Sequence, residues 1–187
     1  GKADYAYIFS WNDYNASKAL YDLQSAGVLT RAAFKPFSVK LGNSKKDFSY
    51  GSIVIPVGLQ SISADSLYRL VDQIGKATNI PITSVSTGFS VTGIDLGSAN
   101  IRTVKKPEVA LIIGEGVQAN EAGETWFVLN NHLQMPVTKI DVSSLRRTDF
   151  NRYSTIIMVS GNYDFDKNVM DRLKSWVSAG GTLITYK

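Results

Sequence analysis

The sequence predicts an α/β fold made of two similar halves with mainly parallel sheets. Three observations predict it. Short β-branched runs alternate with amphipathic stretches of helical period, which implies strands joined by crossover helices. The stretch from Asp149 to Lys187 reads as a complete strand–helix–strand unit. That unit also recurs. Asp47-Phe48, Ser52, Val54, Ile55 and Val57 return as Asp149-Phe150, Ser154, Ile156, Ile157 and Val159, at a constant offset of 102 residues.

In the first half, Tyr5 to Phe9 reads as a strand, with Tyr5, Tyr7, Phe9 and Trp11 on one face. A helix covering that face is the simpler reading; an aromatic platform for sugar or peptide is the sharper one. Asn12 or Asp13 is placed to cap the next helix, whose inner stripe is Ala16, Ala19, Leu20 and Leu23 and whose stop is Gly27. Val28 to Phe34 is the second strand. Residues 35 to 50 are less regular, and the polar turn at Gly42-Asn43 allows a hairpin or an ordered excursion. Ser52 to Val57, a helix capped by Ser63, and Ile82 to Ser86 complete a second β-α-β unit. Thr87 to Lys106 reads as an ordered connection between the halves, anchored by Phe89, Val91, Ile94, Leu96 and Ile101.

The second half opens at Pro107. Val109 to Ile113 is a strand, and Ala122, Trp126, Leu129 and Leu133 line the helix that follows. Val137 to Val142 is the next strand, then a short helical turn. In the final unit, Ser154 to Val159 is a strand and Asp164 or Asp166 a cap. Val169, Leu173, Trp176 and Val177 form the helix face, Gly180-Gly181 the stop, and Thr182 to Tyr186 a short apolar run of the kind buried parallel strands show. The domains are therefore 1–106 and 107–187. A flavodoxin-like strand order, 2-1-3-4, is the natural arrangement of each half, in three αβα layers.

Composition bounds the function. Apolar residues make up 44% of the 187, enough for a core, and aromatics 11%, which argues against disorder. The net charge of +4 is spread over separate basic pairs (Lys45-Lys46, Lys105-Lys106, Arg146-Arg147), without the stripe a nucleic-acid binder needs. With no cysteine there is no disulfide, thiolate metal site or cysteine nucleophile. No apolar run approaches the ~20 residues that span a bilayer. The abrupt start at Gly1 and the stop after a strand read as a piece of a longer protein.

The sharpest local motif is Gly114-Glu115-Gly116-Val117-Gln118-Ala119, which follows a strand and precedes a helix. It matches G-x-G-x-x-A, and Asp141 lies where a ribose-binding acid would sit, so Gly114, Glu115, Gly116 and Asp141 are the candidate ligand-binding residues. The electrostatics oppose a nucleotide: Glu115, Glu121 and Glu124 crowd the place where a pyrophosphate needs positive charge. A tight structural strand-to-helix turn is the favoured reading of the glycines. His132 is the lone histidine and cannot build a histidine-rich metal site. Ser160 follows a strand, but its flanks are not those of a nucleophile elbow. Asp95, Asp141, Asp164 and Asp166 sit at strand C-termini, where α/β folds bind ligands and where turns and caps also use Asp. No catalytic or metal-ligating residue is assigned.

One further pattern is informative. Gly88-Phe89, Gly93-Ile94-Asp95-Leu96-Gly97-Ser98, Pro107 to Gly116, Ala122-Gly123-Glu124-Thr125-Trp126 and Pro136-Val137-Thr138 follow one another in that order. This order resembles the region downstream of the catalytic domain in large zinc carboxypeptidase-like proteins of Bacteroidetes-type bacteria, in the metallocarboxypeptidase A superfamily. The resemblance runs over most of the chain and is most specific at Asp95–Ser98 and Gly114–Gly116. In that family the region is similar to the class I glutamine amidotransferase-like fold, whose strand, helix, Gly-Gly, strand signature the last unit resembles. The resemblance implies a non-catalytic accessory region with its zinc, and its catalytic domain as partner, elsewhere in the parent, in a periplasmic or secreted protein. The family's His-x-x-Glu zinc motif has no match here, and no cysteine supplies an amidotransferase elbow. Two alternatives stay open: a module binding a nucleotide, sugar or peptide at the Gly114–Gly116 turn, and an incomplete amidotransferase-like hydrolase.

Overall fold

A computed structural model describes residues Gly1 to Tyr186. The chain divides into two compact units, the first Gly1–Lys106 and the second from Pro107 onward.

The first unit contains strands β1 (Ala6–Phe9), β2 (Thr30–Ala33), β3 (Phe37–Leu41), β4 (Ser44–Phe48), β5 (Ile53–Pro56), β6 (Thr83–Val85), β7 (Thr92–Gly93) and β8 (Ile101–Val104). Helix α1 (Ala16–Ser25) lies between β1 and β2, and α2 (Ala64–Thr78) between β5 and β6. The main sheet has the order β6-β1-β5-β2-β8, and every neighbouring pair is antiparallel. This corrects the parallel, 2-1-3-4 sheet expected for this half. Each β-α-β crossover does join two parallel strands, but they are not adjacent: β5 lies between β1 and β2, and β1 lies between β5 and β6. Within this unit the two β-α-β crossovers interleave as in the split β-α-β pattern of ferredoxin-like domains. Hydrophobic period fixes the order of elements along the chain and is blind to which strand becomes whose neighbour.

Packing follows from the alternation of β1. Tyr7 and Phe9 face α1 and α2 in one core with Leu23, Ile53, Ile55, Leu67 and Val71. Ala6 and Ile8 face the other way, in a second core with Phe37, Val39, Phe48, Val54 and Ile101. Each large side chain so buried contributes about 1.5–3 kcal/mol of transfer free energy. Tyr7 and Phe9 are thus core residues rather than an aromatic platform, and only Tyr5 and Trp11, at the ends of the row, are exposed. The second core is closed by a small sheet, β4-β3-β7. The irregular segment is a hairpin, β3 and β4 meeting at a two-residue Gly42-Asn43 turn with Gly42 at φ 59. The expected connection after Thr87 instead builds β7 and β8 into the two sheets, with Leu96 and Ile101 buried and Phe89 exposed.

Helix capping is partly as the residues suggest. Ser63 accepts the Ser66 N–H at 3.2 Å, and Gly27 takes a φ of 78 after α1. The α1 start differs: Asp13 accepts the Asn15 N–H in a local turn, and Asn15 occupies the cap position without a side-chain cap bond. Gln60, which carries no pattern signal, ties β2 to β5. Its amide donates to the Leu29 and Pro56 carbonyls (2.9 and 2.8 Å) and accepts the Leu29 N–H at 2.9 Å.

The second unit contains strands β9 (Val109–Ile113), β10 (Val137–Asp141), β11 (Thr155–Met158) and β12 (Thr182–Thr185), with helices α3 (Ala119–Phe127) and α4 (Lys167–Ser178). A π-helical stretch, Val128–His132, continues α3. The sheet order β10-β9-β11-β12 is all parallel and, counted along this unit, reads 2-1-3-4. Ala110, Ile112, Ile140, Ile156 and Met158 pack against Val169, Leu173 and Trp176 of α4 and against Leu145 and Phe150 of the β10–β11 connection. Asp166 caps α4, accepting the Val169 N–H at 2.8 Å. A Cβ on Gly181 would strike the Trp176 ring, whose indole N–H donates to the Tyr153 carbonyl at 3.2 Å. The apolar β12 run is not buried. It is an edge strand, exposed along all four residues, because among the described residues no strand pairs with its outer side.

Of the repeated residues, Val54-Ile55 and Ile156-Ile157 lie in strands, β5 and β11, whereas Asp47-Phe48 end β4 and Asp149-Phe150 begin a short helical turn. Their settings differ. β5 is antiparallel to both neighbours and β11 parallel to both.

Candidate functional site

In a parallel sheet of order 2-1-3-4, ligands bind outside the strand C-termini, where successive connections leave in opposite directions. Here that place lies beyond β9 and β11. The loop after β9 is Gly114–Gln118, the connection after β10 starts at Val142, and the loop after β11 runs through Ser160–Asn162. Gly114, Glu115 and Gly116 lie in the first of these loops and Asp141 ends β10; the loop after β9 meets both Asp141 and the loop after β11.

Gly114 (φ 111) and Gly116 (φ 81) hold backbone angles that other residues rarely adopt. Both glycines are also needed for space. A Cβ on Gly114 would come within 2.5 Å of Asp141 Oδ2, and one on Gly116 would strike the Asn162 carbonyl oxygen. The turn is closed by hydrogen bonds. Asn162 N–H donates to the Gly116 carbonyl at 2.9 Å, and Gln118 N–H donates to the Ser160 carbonyl at 2.9 Å. Val117 and Gly161 form an isolated antiparallel bridge between them. The loops after β9 and β11 therefore occupy one another's polar groups across the crevice.

The first turn of α3 is treated in the same way. Glu121 Oε2 accepts the backbone N–H of Ser160 at 2.9 Å. The Tyr163 hydroxyl donates to the Val159 carbonyl at 2.7 Å. Burial, then the nearby Glu121 charge, raise the Tyr163 pKa above its ordinary value. A carboxylate of the chain stands where an incoming phosphate would need donors, and Glu115 and Glu124, both exposed, add negative charge around it.

Asp141 is engaged locally. Its Oδ1 accepts the Ser143 hydroxyl at 2.6 Å and the Ser143 N–H at 2.9 Å. These two bonds, the hydroxyl first, hold its pKa below the usual carboxylate range, so it is ionised at neutral pH. Asp95 accepts the Ser90 N–H at 2.8 Å in the loop after β7, and Asp166 is the α4 cap, also held low by the Val169 N–H and by Arg146. Asp164 is exposed. His132 ends the π-helical stretch, half-buried. Among the described residues no group of three or more His, Cys, Asp or Glu side chains could hold a metal ion.

A feature with no sequence signature lies beside the turn. A cavity of about 230 Å³ opens between α3 and strands β9 and β10, with Leu111, Ile113 and Lys139 on the sheet side and Gly114, Ala119, Ala122, Gly123 and Trp126 along the turn and helix. The Lys139 ammonium stands 4.9 Å from the centre of the Trp126 ring.

No protein-family model matches the chain, no curated protein matches its sequence, and no solved structure matches its fold. No helix among the described residues is long and apolar enough to cross a membrane.

Proposed function

We propose that this chain is a non-catalytic accessory region of a larger, zinc carboxypeptidase-like protein. Its work is to pack against the catalytic domain and shape access to it, the metal and the reacting groups lying outside this segment. The observation that supports this most is the state of the switch-point crevice. In an α/β enzyme the loops there leave donors free for a substrate. Here the Gly116 carbonyl is taken by the Asn162 N–H and the Gln118 N–H by the Ser160 carbonyl, and Glu121 takes the helix-end position. The family resemblance supplies the peptidase context and the periplasmic or secreted location. The exposed, uncharged β12 edge supplies a surface on which a neighbouring domain can continue the structure.

The test has two arms. The isolated chain, supplied with zinc and peptide substrates, should release no product. The peptidase-like catalytic domain should melt at a lower temperature alone than when joined to this chain. Hydrolysis by the chain, or a catalytic domain equally stable and active without it, contradicts the proposal.

A second reading is favoured by one observation, the cavity beside Gly114. It makes the second unit a small-molecule binding module adjoining the turn, not within the closed crevice. Thermal-shift screening with nucleotides, sugars and short peptides tests it broadly, and a flat response counts against it.

A further inference from the structure

We infer that the cavity under α3 is a binding site for a small apolar monocarboxylate, with Lys139 as the group that recognises its charge. The inference rests on the second reading above and gives its ligand a chemical class.

The cavity has a physical origin in the sequence. Where α3 faces β9 it presents Ala119, Ala122 and Gly123, residues too short to fill the space to the sheet. Gly114, forced to be glycine by its φ and by Asp141, leaves the mouth open. A Cβ on Gly123 would meet nothing within 4 Å. The floor is apolar: Leu111 is fully buried, and Trp126 forms a wall. Such a gap forfeits packing energy that a better-filled helix interface would keep.

Its polarity is one-sided. Lys139 is the one charged side chain among the lining residues, and it stands over the Trp126 ring. No carboxylate forms an ion pair with it among the described residues. Asp141, the acid on the same face of β10, is turned to the Ser143 hydroxyl and N–H. An apolar pocket with one convergent cation selects an apolar body carrying one anionic group. A carboxylate fits better than a phosphate, because no backbone N–H cluster accompanies the lysine. At about 230 Å³ the cavity exceeds the ~150 Å³ apolar cavity that takes up benzene, so the body is about the size of a benzene ring or a short acyl chain.

The test uses benzoate and hexanoate against their neutral counterparts, benzamide and hexanamide, on the intact chain. The readout is the NMR resonance of the Trp126 indole N–H together with the Gly123 amide. The acids should shift both resonances at least about tenfold more tightly than the amides. Lys139→Met should remove that preference while leaving the rest of the spectrum in place. Gly123→Leu should fill the cavity and abolish the response to acid and amide alike, with Lys139→Met deciding the matter if that variant does not fold. The inference is overturned if millimolar acid moves neither resonance, if acids and amides bind alike, or if Lys139→Met keeps the preference. Binding of nucleotides or sugars without any carboxylate response would overturn this ligand class and leave the module reading standing. No binding of any kind would remove both and leave the accessory role untouched, since that is read from hydrolysis and from the stability of the catalytic domain.

Discussion

Glu121, in the first turn of α3, accepts the backbone N–H of Ser160 at 2.9 Å, so the helix end and the loop after β11 are held together by one carboxylate. The bond joins the two loops that a switch-point ligand would have to separate. Replacing Glu121 with Ala should destabilise the second unit by about 1–2 kcal/mol, the range for a hydrogen bond to a charged acceptor at a half-buried site. Glu121→Gln keeps an acceptor and should cost less. Urea denaturation of the two variants measures the difference; equal losses would mean that the acceptor is not what matters.

The glycines of the second unit should separate by sign. Gly114→Ala meets a φ of 111 and the Asp141 carboxylate, and should cost about 1–3 kcal/mol. Gly123→Ala places a methyl group in open space within a helix and should stabilise by about 0.5–1 kcal/mol. Thermal melts of the two single variants test this. A Gly114→Ala protein as stable as the wild type would contradict the geometry of the turn.

Gln60 makes its case in the first unit. Three hydrogen bonds from one half-buried amide hold the start of β2 to the end of β5. Gln60→Ala should cost about 1–3 kcal/mol, since it leaves the Leu29 and Pro56 groups without this partner. Gln60→Glu keeps the acceptor for the Leu29 N–H but sets a carboxylate oxygen against the Leu29 and Pro56 carbonyls, and should cost at least as much as Gln60→Ala. Hydrogen exchange at the Leu29 amide should rise in the Ala variant.

Asp166 gives a pH dependence of definite sign. The Val169 N–H first, then the Arg146 charge, lower its pKa in the folded state. A group with a depressed folded pKa adds stability above its unfolded pKa and loses it as pH falls through the folded value. Asp166→Ala should therefore lower the denaturation midpoint at pH 7, and the gap to wild type should narrow below about pH 4. A gap that stays constant down to about pH 2 would show that the charge contributes nothing.

Much of the fold was legible in local pattern, and the reasons for the rest are specific. Ser63 announced one helix start, Asp164 or Asp166 another, and Gly27 a helix stop, because caps are local chemistry. The second unit's strand order also agrees with the expectation for short crossover connections. The first unit's order could not be read, since β5 slips between β1 and β2 through the β3–β4 hairpin, and that choice of partner is tertiary. β12 misled because Thr182 to Thr185 has the composition of a buried strand while its burial depends on what lies beyond the edge. At the candidate site the structural-turn reading of Gly114, Gly116 and Asp141 agrees with the geometry, but their partners could not be read from the sequence. The glycines answer to Asp141 and Asn162, and the acid to Ser143. The cavity at Lys139 had almost no signal, because it is made by absent side chains.

The measurement that tests the central claim most directly is backbone amide exchange at Gln118, Ser160 and Asn162, with and without a nucleotide in excess. A crevice closed by its own hydrogen bonds predicts that all three amides are protected to the level of the neighbouring strands and unmoved by nucleotide. Free exchange at these amides, or protection that changes when nucleotide is added, would show an open ligand site and contradict the account.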